Sequence, residues 1–148
     1  MIAGSAQGTT YNITYYAADS SVTKCQIDSI LTKIDSSLSL YKPWSLVNQF
    51  NNSIDGIIAD LHLGKVVKRS IDTFHDTKGI FDITVYPFTG AWGFGIKKID
   101  IVPSSKMIQK LRSCVGSKKL FWIGNKLGKK KSCVKLDPNG IAQGYSVD

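Results

Sequence analysis

Four turns rich in glycine and aromatic residues, each beside polar side chains, are the parts of this sequence that could do chemistry. In chain order they read GSAQGTTY (4–11), LYKPWS (40–45), GIFDITVYPFTGAWGFG (79–95) and LDPNGIAQGY (136–145). Aromatic rings stack on flat ligands, glycines let a ligand approach the backbone, and the amides of a helix start attract phosphates. Each turn alone is explained by packing. Together they predict a site for a planar aromatic molecule that carries phosphate groups.

No catalytic motif is complete, and the catalytic side chains stay unassigned. His62 and His75 stand at no motif spacing from a nucleophile, and we interpret each as a surface or capping histidine. The GFG of residues 93–95 lacks the strand-to-helix context of a dinucleotide fingerprint, and there is no P-loop.

Composition indicates one folded unit of 148 residues with 43% hydrophobic and 20% charged residues. No apolar run approaches the ~20 residues of a membrane span, and MIAGSAQGTTY does not have the pattern of a signal peptide. The net charge is +8, with lysines crowded between positions 118 and 135. A nucleic-acid patch is the sharper interpretation. We favour a solvated hairpin rim, because no aromatic residues interleave these lysines.

The three cysteines, Cys25, Cys114 and Cys133, have no metal-like spacing. Their odd number argues against a complete disulfide framework. We therefore predict small, buried or half-buried thiols, which say nothing about compartment.

In the first half of the chain, alternation predicts a strand over 9–16. An apolar stripe over 27–38 predicts a helix capped by Ser20 or Ser21. The pattern breaks before Ser45, which can start a short helical piece.

Farther along, a helix is predicted over 64–78 with Gly79 as its C′ residue. Residues 80–85 are predicted to be extended. A third long helix should begin near Ser104 and end at Gly116.

Two strands are then predicted, over 120–123 and 132–136, with 124–131 as the hairpin loop between them. Strands and helices do not alternate strictly. The expected class is therefore α+β, with a mixed or antiparallel sheet and packed helices in a single unit, 1–148.

The four turns occur in the order and at roughly the spacing found in the ApbE family of FAD:protein FMN transferases, which this sequence resembles from about Gly4 to its last residue. The blocks FDITV-x-P…WGFG and D-x-x-G-I-A-x-G-Y-x-V-D are the most specific part of the resemblance.

The resemblance implies an enzyme that binds FAD and Mg²⁺ and transfers FMN to a threonine or serine hydroxyl of a partner protein, releasing AMP. It also implies a periplasmic or other extracytoplasmic location, with the membrane reached only through a lipid anchor outside this chain. Hydrolysis of FAD to FMN and AMP is a second enzymatic hypothesis, and a non-catalytic flavin-binding module is a third. A nucleic-acid module rests only on the lysines, and no nucleic-acid partner is expected.

Matched residue by residue, the resemblance implies one carbonyl ligand to Mg²⁺, that of Gly140. It implies seven cofactor contacts: Gln7, Tyr41, Ile80, Phe81, Asp82, Asp137 and Gln143.

Members of the family are roughly twice as long as this chain. The final helical pattern begins only a few residues before Asp148 and has no stop signal. We therefore expect this chain to be the N-terminal, FAD-binding half of a longer flavin transferase, with the side-chain Mg²⁺ ligands on the other half.

Overall fold

The computed structural model of the protein describes residues 1–19, 21–95 and 102–148, where helices pack with two small antiparallel sheets. The predicted α+β class is confirmed. The helices are α1 (Lys24–Leu38), α2 (Leu46–Asn52), α3 (Leu61–Asp76), α4 (Tyr86–Ala91), α5 (Ser105–Arg112) and α6 (Asn139–Val147). The strands are β1 (Ile2–Ala6), β2 (Thr9–Ile13), β3 (Gly56–Ile58), β4 (Leu120–Ile123) and β5 (Lys126–Lys129). In the described ranges, no helix combines the length and apolarity that crossing a membrane requires.

The chain begins with a hairpin of β1 and β2, of which only the second strand was predicted, and over a longer range. Gln7 and Gly8 form its turn, with φ of 54° and 77°. Consecutive positive φ values suit a two-residue hairpin, because that backbone matches the twist of the strands. The hairpin is fastened to α1 by the hydroxyl of Tyr11, which donates to Asp28.

The second sheet has the order β3-β5-β4. The predicted strand 120–123 is confirmed, whereas the predicted strand 132–136 is wrong. The chain turns within two residues after Ile123 and pairs Trp122 with Leu127, so that β5 occupies half of the predicted loop. As the central strand, β5 is buried at Leu127, Gly128 and Lys129. Its two lysines make the segment read as an exposed loop in the sequence.

Serine and threonine side chains cap the starts of three helices. Ser45 and Ser104 cap α2 and α5 as predicted, each accepting from a backbone amide three residues later. The predicted N-cap of α1, Ser20 or Ser21, is wrong. Thr23 caps this helix in a capping box with Gln26, because the box satisfies two amides at once. Ser20 lies outside the described residues.

The end of α3 differs from the prediction by one position. Lys78 is the C′ residue, with φ of 54°, and Gly79 follows it with φ of 86°. The Lys78 amide donates to His75 and the Gly79 amide to Phe74, which is the Schellman arrangement. Lys78 therefore takes the left-handed conformation that usually favours glycine, and Gly79 takes a second one.

The segment 80–85 is a turn, and the prediction of an extended run is wrong. The Asp82 carboxylate accepts from the amide of Thr84 at 2.8 Å and from its hydroxyl at 2.6 Å, which bends the chain. Ile83 and Thr84, which directly follow Asp82, are both fully buried. The β-branched residues Ile83, Thr84 and Val85 make the segment resemble a strand. The turn leads directly into α4.

A single core joins the helices to the central sheet. Its fully buried side chains include Val47, Phe50, Leu63, Val67, Leu127, Val134 and Leu136. They come from α2, α3, β5 and the segment before α6, so the core fixes where α6 begins.

One lysine of the predicted solvated rim is in this core. The Lys129 amine donates to the carbonyls of Phe50 at 2.8 Å and Val134 at 3.0 Å. Burial, with a smaller effect of Lys135, lowers the pKa of Lys129 to about 8. The rim prediction is therefore wrong for Lys129, because two carbonyls replace the water that a buried ammonium loses.

The cysteine prediction is also corrected. Cys114 and Cys133 form a disulfide, with their Cα atoms 5.3 Å apart, and Cys25 is exposed rather than buried. Three cysteines can form one disulfide and leave one free thiol, so an odd number does not exclude a bridge. The separation of 19 residues matches no motif that would have predicted the pairing.

Candidate functional site

A groove of about 720 Å³ lies between the β1–β2 turn, the end of α1 with the loop after it, and the first turns of α6. Small-molecule sites typically enclose ~300–1,000 Å³, so the groove has the size of a ligand site. Its walls are Gln7, Gly8, Thr9, Ile34, Asp35, Leu38, Ser39, Leu40, Tyr41, Lys42, Asn139, Ala142 and Gln143.

The loop after α1 is held by one buried amide. The side chain of Asn48 donates to the carbonyls of Leu40 at 2.8 Å and Lys42 at 2.9 Å. These bonds fix the backbone on both sides of Tyr41, whose ring is 73% exposed. A fixed backbone lowers the entropy lost when a flat ligand binds beside this exposed side chain.

The hairpin turn forms the wall opposite this loop. The Gln7 side-chain amide donates to the hydroxyl of Ser146 on α6 at 2.9 Å. At the other end, Lys24 and then Tyr11 donate hydrogen bonds that lower the pKa of the Asp28 carboxyl. The hairpin is thus tied to both α1 and α6, the two helices that flank the groove.

The third wall, α6, is anchored to α3 by a histidine–tyrosine pair. Nδ1 of His62 lies 2.9 Å from the hydroxyl of Tyr145. Burial, and secondarily the negative charge of Asp60, raises the pKa of Tyr145. His62 is therefore a packing contact between helices and not a surface or capping histidine; His75 is exposed in the last turn of α3.

The start of α6 carries the positive end of the helix dipole at one side of the groove. Pro138 occupies the N-cap position and has no side-chain group that could cap the amides. Asp137, just before it, accepts from the amide of Asn139 at 3.2 Å and from the hydroxyl of Thr89 at 3.0 Å. Its carboxylate therefore joins α4 to the entrance of α6.

The groove also contains an ion pair, Lys42 with Asp35, whose charged atoms are 2.8 Å apart. Both side chains are partly exposed. A phosphate entering the groove would meet the Lys42 ammonium and the α6 dipole, which favour it, and the Asp35 carboxylate, which opposes it.

Five of the eight predicted site residues lie in or beside this groove. Gln7, Tyr41 and Gln143 line it, from three different walls. Asp137 and Gly140 flank Asn139, which also lines it.

The other three predicted residues do not line the groove. Phe81 packs against the start of α6, where a Cβ on Gly140 would lie 3.3 Å from its ring. Ile80 is 92% exposed. The Asp82 carboxylate is occupied by its own turn and by Ser117, whose amide and hydroxyl donate to it at 3.1 Å and 2.8 Å.

Several groove residues were missed by sequence reasoning. Lys42 and Asn139 stand inside two of the four glycine- and aromatic-rich turns, but neither was predicted to contact a ligand. Asp35 lies in the polar side of the α1 stripe, and Asn48 gives no signal, because its bonds go to backbone carbonyls. A positive charge next to Tyr41 was the one clue available.

The described residues do not form a magnesium site. In residues 1–19, 21–95 and 102–148, no three His, Cys, Asp or Glu side chains cluster in a way that could hold a metal ion. The Gly140 carbonyl lies in the first turn of α6, where a regular helix engages it four residues later. Mg²⁺ needs near-octahedral oxygen ligands, which one such carbonyl does not supply.

Sequence comparison shows which known proteins this chain is similar to. Residues 7–148 match the ApbE family. The FAD:protein FMN transferase of Vibrio cholerae is 32% identical over 154 residues, covering 99% of this chain and 46% of that protein. The same-named protein of Haemophilus influenzae is 32% identical over 162 residues, with the same coverage. The chain thus spans about half the length of the curated relatives it matches.

Structural comparison agrees. The crystal structure of the apo flavinyl transferase ApbE of Pseudomonas stutzeri superposes with a TM-score of 0.91 at 30% identity, over 99% of this chain and 48% of that one. The flavin transferase ApbE of Vibrio cholerae gives 0.86 at 30% identity, over 99% and 50%. Since the family match extends over nearly the whole sequence, this chain belongs to the ApbE family.

Proposed function

We propose that this chain is the flavin-binding half of an enzyme that transfers FMN from FAD to a threonine or serine hydroxyl of an acceptor protein. The observation that carries the proposal is the convergence of Gln7, Tyr41 and Gln143 on one groove from three separate elements. The names of the relatives, FAD:protein FMN transferase, support flavin transfer in general.

In this proposal the groove orients FAD. The Tyr41 ring offers a stacking surface for the flavin, and the Gln7 and Gln143 amides can donate to or accept from its polar edge. Lys42 and the start of α6 attract the pyrophosphate. Positioning of this kind supplies much of the catalysis in phosphoryl transfer, because the reaction needs little covalent chemistry from the protein.

The reaction itself replaces the phosphoanhydride bond between the two halves of FAD by a phosphoester bond to the acceptor. The acceptor hydroxyl oxygen forms a bond to the FMN phosphorus, the bond from that phosphorus to the bridging oxygen breaks, and AMP leaves with the electron pair. The proton of the acceptor hydroxyl is released to solvent or to the leaving AMP. We propose that the whole protein requires Mg²⁺. Among the described residues, the Gly140 carbonyl is the one ligand that the family resemblance assigns to this chain, and we propose that the remaining ligands come from the rest of the protein.

We also propose an extracytoplasmic location, with a lipid anchor outside this chain. The Cys114–Cys133 disulfide supports an oxidising compartment, because such bonds are rare in reducing cytosol.

Transfer is tested with the full-length parent, FAD, Mg²⁺ and an acceptor that carries a single reactive threonine. The expected result is flavin fluorescence on the acceptor band of a denaturing gel, with one AMP released per flavin attached. An acceptor with that threonine changed to valine is the matched control and should stay dark. Release of FMN and AMP with no labelled acceptor would instead establish hydrolysis.

A non-catalytic flavin-binding module remains a second candidate for this chain alone, favoured by the absence of a metal cluster among the described residues. The isolated chain should neither transfer FMN nor hydrolyse FAD, even with excess Mg²⁺. Mg²⁺-dependent turnover by the isolated chain would show that its own residues complete the active site.

A further inference from the structure

The charge of this protein is concentrated in one stretch of sequence. Residues 101–136 contain ten lysines and arginines and no aspartate or glutamate, in a chain whose total is 19 basic and 11 acidic residues. A segment of one charge sign attracts a partner of the opposite sign.

The fold gathers much of this segment at one corner of the molecule. The disulfide places the end of α5 next to the segment after β5, with the Cα atoms of Cys114 and Cys133 5.3 Å apart. The amide of Lys130 donates to the carbonyl of Lys119 at 2.9 Å, which joins the two sides again. We call the exposed basic residues here the basic corner: Lys106, Lys110, Arg112, Lys118, Lys130 and Lys131.

The charges of the basic corner are not neutralised within the described part of the chain. Ion pairs among residues 1–19, 21–95 and 102–148 use Lys24, Lys42 and Lys126, and none uses a residue of the basic corner. Its six cationic groups are therefore available to an external partner.

Apolar side chains lie beside these charges. Val102 is 75% exposed and Met107 is 45% exposed, and no residue of α5 is fully buried. Lys106 and Lys110 are one helical turn apart and so share a face of α5. A short helix that presents lysines next to exposed apolar side chains suits a lipid interface, where headgroups meet acyl chains.

We propose that the basic corner binds the surface of a lipid bilayer that carries anionic headgroups. Five of its six charges are lysines, which are depleted from the cores of protein–protein interfaces. A lipid surface requires no fixed geometry from them, because it attracts each charge separately. This inference does not depend on the proposed transfer reaction.

The test is sedimentation of the 148-residue chain with sucrose-loaded vesicles. The vesicles are phosphatidylcholine alone or with about 30% phosphatidylglycerol, in low and in high salt. Binding is expected only to the anionic vesicles and only in low salt. Each basic residue near such a surface changes the partition coefficient about fivefold, so the variant Lys118→Gln/Lys130→Gln/Lys131→Gln should lose on the order of 100-fold.

The matched control removes three exposed charges elsewhere, in Lys33→Gln/Lys65→Gln/Arg69→Gln. It should change partitioning by less than about threefold. Circular dichroism checks that both variants are folded. If the first variant is not, Lys106→Gln/Lys110→Gln on α5 replaces it, with an expected loss of about 25-fold.

Three results would overturn the proposal. These are equal binding to neutral and anionic vesicles, no binding to anionic vesicles in low salt, and an equal loss in the control variant. Salt-sensitive retention on polyglutamate without vesicle binding would assign the basic corner to an acidic protein instead.

Discussion

Asp82→Ala should destabilise the fold strongly, although the family resemblance assigns this residue to the cofactor. The Asp82 carboxylate accepts the amides of Thr84 and Ser117 at 2.8 Å and 3.1 Å, and both residues are buried, at 0% and 3% exposure. Removing the carboxylate leaves two buried amides unpaired, each at a cost of about 1–3 kcal/mol. The two hydroxyls that also donate can rotate and are not counted. The expected loss is about 4 kcal/mol in the free energy of unfolding.

The assay is urea unfolding followed by circular dichroism, with two comparison variants. Asp82→Asn keeps one acceptor oxygen and should lose less than Asp82→Ala, about 2 kcal/mol. Asp72→Ala removes an exposed carboxylate from α3 and should change stability by no more than about 0.5 kcal/mol. A loss below about 1 kcal/mol for Asp82→Ala, together with weaker FAD binding per folded molecule, would refute the structural role and restore the cofactor contact.

Three further predictions concern the groove, the disulfide and the buried lysine. Tyr41→Ala should weaken FAD binding at least about tenfold and change the free energy of unfolding by less than about 0.5 kcal/mol, because the ring is exposed; in fluorescence titrations, an equal effect of Trp44→Ala, which does not line the groove, would contradict it. Replacing Cys114 and Cys133 by serine should lower the free energy of unfolding by about 3 kcal/mol, and an unchanged urea midpoint would contradict this. Between pH 8 and the ordinary lysine pKa, the unfolded chain holds a proton that Lys129 has lost in the fold, so stability should rise with pH across this interval; the rise should be smaller in Lys129→Met, and an equal rise would contradict it.

Local sequence signals predicted the elements whose ends are set by local chemistry. Ser45 and Ser104 cap their helices through hydrogen bonds three residues away, and the β4 strand is apolar over its full length. The signals failed where distant contacts decide. Lys129 is buried in a central strand because carbonyls from Phe50 and Val134 receive its amine, and no local pattern reports such partners.

The candidate site shows the same division. The resemblance named Gln7, Tyr41 and Gln143, and the fold brings all three to one groove. The resemblance could not separate residues that line the groove from residues that only support its walls. Asp82 stands in a specific motif, yet its hydrogen-bond partners include Ser117, 35 residues away. The sequence therefore predicts which segments form the candidate site, and the fold distinguishes the residues that line the groove from those that support it.

The most direct test of the central claim is an amide chemical-shift titration of the 148-residue chain with FAD. The groove predicts shifts concentrated in three separate segments, at Gln7–Thr9, at Tyr41–Lys42 and at Asn139–Gln143, with smaller shifts elsewhere. FAD should cause larger shifts at the start of α6 than riboflavin does, because only FAD carries the pyrophosphate. Shifts confined to other surfaces, or equal responses to riboflavin and FAD in all three segments, would contradict the flavin site as described.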